Sequence, residues 1–455
     1  MHMNKIQDLI QNIEPIQKIR KLKRQENLYL VGGAIRDIAL GLQTNDYDFA
    51  VTGSGIKFAR YVAQRLKGAF VLLSREDDEA RVIEDNTVFD FIGLGKKNIG
   101  TDLLRRDFTI NAMAVDLHSM EVYDPFDGMK DLRKGIVRLT TNTALTADPL
   151  RVLRGFRFAL ELNFSLHKDF FKLAKQTLLK KTAAERIGYE LMRIMTVPFS
   201  FDAIQKMNDL GIFLQIFPEA KKIIGDPELW EHSLQTYYAI ERLMREGFFF
   251  KELKPEFQIY FSNERHKPLV KIAGLFHDIA KPDTFLLKQG EVHFYGHDTK
   301  GARTIEMLGY KRLKLSRNDV TIIRKLVKEH MRPHLLATNS ELTDRAIRRF
   351  FRNLGEDYLG SMMIAWADGY ATAGKTKHLE GTFRRMIQLK RADDAKPKVE
   401  RLVNGYDLIA LGLKPGPIYK VILQELLDLQ LEGKIKTKEE GMQAAGEILK
   451  KMEEK

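Results

Sequence analysis

"LYLVGGAIRDIALGLQTNDYDFAVTG" runs from Leu28 to Gly53. An apolar run ends at Gly32-Gly33, an Arg-Asp pair follows, and two aspartates stand one residue apart. Successive side chains of a strand point to opposite faces. "DYDFAV" therefore puts Asp46, Asp48 and Ala50 on one face and Tyr47, Phe49 and Val51 on the other. The apolar face can pack. The two carboxylates repel unless a cation lies between them, and Mg2+ takes a few carboxylates together with waters and substrate phosphates. "TVFDFIGL" places Asp90 on the face of Val88 and Ile92, a candidate third carboxylate. Three acids around two metal ions suit in-line attack on phosphorus. A solvated strand face, or a turn at Asn45, is the competing reading. Gly32 and Gly33 let backbone N–H groups approach phosphate oxygens at the start of a helix, and Arg36 can meet a triphosphate bidentately. No Gly-Lys-Ser/Thr follows and the spacing is not G-x-G-x-x-G, so neither nucleotide-loop pattern applies.

The 455 residues suffice for roughly two to four domains. The absence of cysteine excludes disulfides, thiolate metal sites and cysteine nucleophiles, and suits a cytoplasmic chain. No apolar run reaches about 18 residues, so no membrane partner is expected, and the mixed, charged first 25 residues contain no signal-peptide core. Lys and Arg number 74 against 61 Asp and Glu, a net charge of +13. Such a balance fits a polyanion, nucleic acid foremost, and equally a merely solvated basic surface. From Gly301 to Phe350 there are 12 Lys/Arg and 5 Asp/Glu, which points to a binding face.

Residues 1–25 read as one amphipathic helix, with Ile6, Leu9, Ile10 and Ile13 at helical spacing. From 26 to 140 strand-like runs ("LYLVGG", "DYDFAV", "AFVLLS", "TVFDFIGL", "INAMAVDL", "IVRLT") alternate with few helices, an α+β pattern. Helical spacing dominates thereafter, through a neck (141–215), a body (216–395) and a tail (396–455) that starts near Lys396 and includes the turn around Lys414. In "ADPLRVLRGFRFALEL", Asp148 suits an N-cap and Pro149 a first helical position.

"LVGGAIRDIALG…NDYDFAV", "LLRRDFTINAMAVD", "DPFDGMKDL" and "ADPLRVLRGFRFA" in this order resemble the class II tRNA nucleotidyltransferase and bacterial poly(A) polymerase family over about residues 28–200. The resemblance implies a polymerase-β-like head followed by a helical neck. It implies Mg2+-dependent transfer of C and/or A from CTP or ATP to the 3′ end of tRNA. It assigns Asp46 and Asp48 to metal, with Asp90 as third acid, and Arg105, Arg106, Asp107 and Asn111 to the incoming nucleotide. Asp148 and Arg151 match its base-recognition motif. The chemistry is apt: a carboxylate accepts from the exocyclic amine of cytosine or adenine, and a guanidinium donates to the adjacent ring nitrogen. Asp148 as a plain cap and Arg151 as a surface residue is the competing reading. Arg154 and Arg157 follow at helical spacing and are expected in the same cleft. "ERIGYEL" (185–191) resembles the neck motif and is read as structural. Ala147 stands where the family has Glu, and only "GLGKKNIGTDLL" separates Ile92 from Arg105, so CCA, CC and A addition stay open. The alternatives are a poly(A) polymerase and, from another class, an HD phosphohydrolase with a nucleotide- or RNA-binding head.

The second half carries His232, "GLFHDIAKP" (His277, Asp278), His293, His297, His330, His334 and Asp368. His and Asp suit borderline or hard divalent metals, and an adjacent His-Asp pair on an apolar helix is an awkward core choice without one. The spacing resembles the HD phosphohydrolase domain. That match implies a first metal on His232, His277, Asp278 and Asp368, with His297 and His330 as further ligands and Mn, Ni, Co or Fe as the metal. It also implies hydrolysis of a phosphoester at an RNA end. His334, next to Pro333, reads as an ordinary surface loop residue, and His293 has no assignment.

Overall fold

The computed structural model describes residues 3–22, 25–339, 341–372, 374–395, 400–413 and 415–453, so Lys396 and Lys414 fall outside it. Two compact units result: Met1–Trp230 with Glu306–Val320, and Glu231–Ile305 with Thr321–Lys455.

The first unit holds a seven-stranded sheet in the order β3-β4-β5-β2-β1-β6-β7. Its strands are β1 (Leu28–Val31), β2 (Asp46–Val51), β3 (Ala69–Ser74), β4 (Glu79–Glu84), β5 (Thr87–Gly93), β6 (Ala114–Asp116) and β7 (Val122–Tyr123). β2 and β5 run parallel and pair Asp48 with Asp90, while β1 is antiparallel to β2 and β6. The alternation in "DYDFAV" is realised: Tyr47 and Phe49 are buried and Phe49 stacks on Phe91. The helix Gly55–Leu66 that follows β2 is capped by Ser54, whose side chain accepts from the Lys57 N–H. Asp78 reinforces that end by accepting from Ser54 Oγ and the Gly55 and Ile56 N–H groups.

The single helix expected over 1–25 is two, Met3–Gln11 and Glu14–Arg20. Pro15 explains the break, since proline fits a first helical turn but cannot donate inside one. The helix expected at Asp148-Pro149 begins at Arg151. Asp148 instead closes the short helix Ala144–Ala147, and its Oδ1 accepts from the Leu150 N–H. The segment "ERIGYEL" lies on the helix Ala184–Thr196, and Gly188 lets the Leu313 backbone come close.

Among its described residues the second unit is helical apart from one small hairpin, Leu286–Lys288 with Glu291–His293. Its last helices share a core of Val403, Leu408, Ile422, Leu426, Ile435 and Ala445. Part of the basic run 301–350 is structural here: on the helix Asp344–Leu354, Arg348 pairs with Asp393 and Arg345 with Glu425, and Arg352 just beyond the run pairs with Asp428. Among the described residues no helix is long and apolar enough to cross a membrane.

Candidate active site

Asp46, Asp48 and Asp90 each bring a carboxylate oxygen within 4.8 Å of the others. Burial pushes the Asp48 carboxyl up to about 6; Arg106 pulls the other way, and Asp46 and Asp90 add repulsion. Burial, then Asp90, also raises Asp46. Asp90 alone has a strong partner, Arg81, which donates Nε and Nη2 to its two oxygens at 2.8 Å each. Arg81 stands directly across from Asp90 on β4; the sequence reading passed it over, because antiparallel register between β4 and β5 is set by the turn, not by the strand composition. The carboxylates of Asp46 and Asp48 thus crowd together with their charge disfavoured, which fits a divalent cation.

A cavity of about 510 Å³ opens beside Asp48 and is lined by Gly33, Arg36, Arg105, Arg106, Asp107, Asn111, Asp148, Arg151, Arg154 and Arg157. Gly32 has φ +76°, and a Cβ there would fall on the Arg106 guanidinium. The expected residues therefore gather in one place, but their duties differ. Arg36 donates to Asn111 Oδ1 at 2.6 Å and pairs with its neighbour Asp37. Asp107 is buried. Burial works against its charge, yet Arg154 at 2.6 Å and Asn111 hold its carboxyl below the usual range. It orients those two side chains. Arg157 is buried and donates to Glu190 at 2.6 Å and Glu161 at 2.7 Å, so it braces the neck. Arg36, Arg154 and Arg157 all lie over the Phe158 ring, at 5.0, 5.2 and 4.2 Å.

Arg105 and Arg106 share the buried Asp102, each at 3.1 Å. The i,i+3 and i,i+4 spacing in "TDLLRRD" is the signal that reveals Asp102. Arg151 donates to the carbonyls of Arg105 (2.5 Å), Ala144 (3.3 Å) and Arg106 (3.4 Å), so main-chain oxygens hold it without a carboxylate at position 147. Asp148 Oδ2 accepts from Arg186 at 2.8 Å. Arg186 was also missed, since 38 residues of chain separate the pair.

The second unit gathers its own cluster. Asp278 is buried; Lys281 Nζ lies 2.5 Å from its Oδ2, but neither oxygen has a hydrogen bond of sound geometry. Oδ2 lies 3.2 Å from His277 Nε2 and 3.6 Å from His232 Nε2; Oδ1 lies 3.5 and 3.6 Å from Nε2 of His297 and His330. The other ring nitrogens of His277, His297 and His330 face the carbonyls of Gly274, Phe294 and Val327 at 2.7–2.8 Å. With Nδ1–H donating there, the Nε2 atoms converge on a carboxylate, and in their neutral form these rings would turn Nε2 lone pairs to a divalent cation. Asp368 completes the set, 3.0 Å from His232 Nε2. Burial opposes a charge on His277, but Asp278 outweighs it and holds the imidazole up at about 10. Burial and the His277 charge push His330 down to about 4.

Two expectations fail here. His277 and Asp278 are not on the apolar helix; His266–Leu275 ends just before them, and His277 uses the turn to reach the freed Gly274 carbonyl. His334 is no loop residue. It lies on the helix Arg332–Thr338, with Pro333 in the first turn where no N–H is needed. Its Nε2 is 3.1 Å from Asp368 and its Nδ1 3.4 Å from His378.

A family profile described as the poly A polymerase head domain matches residues 28–95 and 94–138. The probable RNA and SrmB-binding site of polymerase A matches 163–224, and the HD domain matches 229–373. An A-adding tRNA nucleotidyltransferase of Deinococcus radiodurans is 31% identical over 427 residues, spanning 90% of this chain and 93% of the relative. The chain belongs to the tRNA nucleotidyltransferase family. A CC-adding tRNA nucleotidyltransferase of Synechocystis sp. is 27% identical over 429 residues, 92% of this chain and 93% of the relative. A solved CCA-adding enzyme with CTP shares the fold at a TM-score of 0.67 and 21% identity, with 99% of each chain covered. Within the tRNA nucleotidyltransferase family both head and HD segments accompany divalent-metal chemistry, and the two acid-bearing clusters described above fit it. A poly(A) polymerase and an HD hydrolase with a merely binding head are not favoured by these relatives.

Proposed function

We propose that the chain is a cytoplasmic enzyme that transfers cytidylate, adenylate or both from CTP or ATP to the 3′ end of tRNA without a nucleic-acid template. The observation that carries this is that Asp48, Asp148 and Arg151 line one cavity, so a nucleotide can present phosphates at one end and a base at the other. The RNA 3′-oxygen bonds to the α-phosphorus while the bond to the β-phosphate oxygen breaks, releasing pyrophosphate. Asp46 and Asp48, with Asp90, would hold Mg2+, which would supply charge neutralisation at the α-phosphate and a lower pKa for the attacking hydroxyl. Arg36, Arg105 and Arg106 bind the triphosphate. Asp148 accepts from the amine of cytosine or adenine, and Arg151 donates to the neighbouring ring nitrogen. On this reading the chain runs as head (26–140), neck (141–215), body (216–395) and tail (396–455), with the basic balance serving tRNA through backbone contacts. The test offers tRNAs ending at the discriminator base, at C and at CC with CTP and ATP, and sequences the products. Discrete addition of C or A supports the reading; long A tails or no addition overturn it.

A second activity is favoured by the convergence of four histidine Nε2 atoms on Asp278. It is hydrolysis of a phosphoester at an RNA end, such as a 2′,3′-cyclic phosphate. Water adds to phosphorus, one ester P–O bond breaks, and the leaving ribose oxygen takes a proton. His232, His277, Asp278 and Asp368, with His297 and His330, would hold Mn, Ni, Co or Fe, which supplies a water acidic enough to act as nucleophile.

A further inference from the structure

Residues 285–295 form a hairpin that the two activities above leave unused. Leu286 pairs with His293, Leu287 with Val292 and Lys288 with Glu291. Gln289 and Gly290 both have positive φ (54° and 82°), the geometry of a tight two-residue turn. The two strands form a sheet of their own, and an isolated pair is marginally stable in water. Yet Phe285, Leu287 and Tyr295 are 59, 62 and 65% exposed. Strand register puts His293 on one face with Leu286, Lys288 and Glu291, and Tyr295 lies in the turn just beyond the strand. The His293 and Tyr295 rings are parallel within 10°, centroids 5.0 Å apart, so the stack presents a ring face to solvent.

This hairpin is tied to the metal-ligand cluster at two points. The Phe294 carbonyl accepts from His297 Nδ1 at 2.7 Å, which aims His297 Nε2 at Asp278. Lys281 sits over the Phe294 ring at 5.5 Å and reaches Asp278 Oδ2 at 2.5 Å. One residue, Gly296, separates Tyr295 from His297, which puts their Cα atoms within about 7 Å.

We propose that the hairpin is a stacking platform for the terminal base of an RNA whose 3′ phosphoester lies at the His/Asp cluster, with Tyr295 as the outer ring of the stack. The inference rests on the phosphoester reading of that cluster. An RNA end fits the surface on three counts. Exposed aromatic ring faces are how unpaired bases are held without sequence preference, and the Tyr295 ring stacked on His293 offers one. The His293 face carries Lys288 and Glu291 beside one aliphatic side chain, Leu286, while the exposed Leu287 and Val292 share the opposite face, so the ring stack is set among charged groups and not in the apolar stripe that a partner helix needs. An RNA 3′ end is also what this family handles.

The test uses the full-length protein and a ten-nucleotide RNA ending in 4-thiouridine with a 3′-phosphate. Ultraviolet cross-links should map to residues 285–295. Tyr295→Ala should lower their yield about tenfold while Tyr295→Phe retains it. In parallel, hydrolysis of adenosine 2′,3′-cyclic phosphate and of glycerol 2-phosphate is followed with added Mn, Ni or Co. Tyr295→Ala should raise KM for the cyclic nucleotide about tenfold, leave kcat within about twofold, and leave glycerol phosphate hydrolysis alone. Equal losses on both substrates, or cross-links unchanged by Tyr295→Ala, overturn the platform. Cross-linking at Tyr295 without hydrolysis of either substrate overturns the phosphoester reading and not the base contact. A matching thermal midpoint for Tyr295→Ala shows that the variant folds.

Discussion

The two acid-bearing clusters solve the problem of gathered charge in opposite ways. In the head, the candidate ligands are carboxylates alone, Asp46 is exposed, and the one bidentate cation nearby, Arg81, is spent on Asp90. In the HD segment, His277, Asp278 and His330 are buried, the donors are mixed, and each histidine is aimed by a carbonyl behind it. An open, all-oxygen site suits a hard cation that arrives with a triphosphate. A buried His/Asp site, oriented by second contacts, suits a resident borderline metal. The difference predicts that the first metal exchanges with each turnover and the second stays.

The strongest break of that contrast is Asp46→Ala. Incorporation of labelled nucleotide into tRNA should fall by about 1000-fold or more, while the metal content of the purified protein stays constant. Residual incorporation near the parent rate would remove Asp46 from the chemistry. His277→Ala should do the reverse, losing metal by elemental analysis and any metal-dependent phosphoester hydrolysis but keeping nucleotide addition. Loss of both activities would mean that the two regions are not independent.

A sharper probe of the head is pH. An unfolded aspartate ionises near 4, whereas burial keeps the Asp48 proton on until about 6 in the fold. The native state binds more protons between these values, so stability falls as pH rises from about 4 to 6 and the cost is complete above that. Asp48→Asn, measured without Mg2+, should therefore raise the unfolding free energy by about 3 kcal/mol at pH 7.5 and leave it nearly unchanged at pH 4. A gain at both pH values would trace the effect to packing. The smallest expected effect is at the far end of the cleft. Asp148→Ala should relax the choice among CTP, ATP, GTP and UTP by about tenfold, read from competition assays. Unchanged selectivity would leave Asp148 with only its bonds to Leu150 and Arg186.

Much of the site was legible because its signals are local. "DYDFAV" carries its own period, and the Gly32-Gly33 turn needs a residue able to hold φ +76° beneath a guanidinium. The partners that set each group's state were not legible. Arg81 reaches Asp90 through sheet register, Arg186 reaches Asp148 across 38 residues, and Glu190 fixes Arg157 from another helix. Composition alone also misplaced His334, because Pro333 is compatible with a loop and with a first helical turn alike.

By itself the sequence determined which side chains exist at which spacing: a pair of carboxylates on one strand face, an arginine-rich motif, a base-reading pair and a set of histidines. These follow from backbone periodicity, which is local. Only the tertiary structure decided which carboxylate each arginine meets: Arg81, Arg154 and Arg157 are spent on Asp90, Asp107 and Glu190, while Arg105 and Arg106 share Asp102 at the cleft. It alone also turned four distant histidines toward one carboxylate. Ion pairing and lone-pair direction depend on distances between segments far apart in the chain, and folding alone sets those distances.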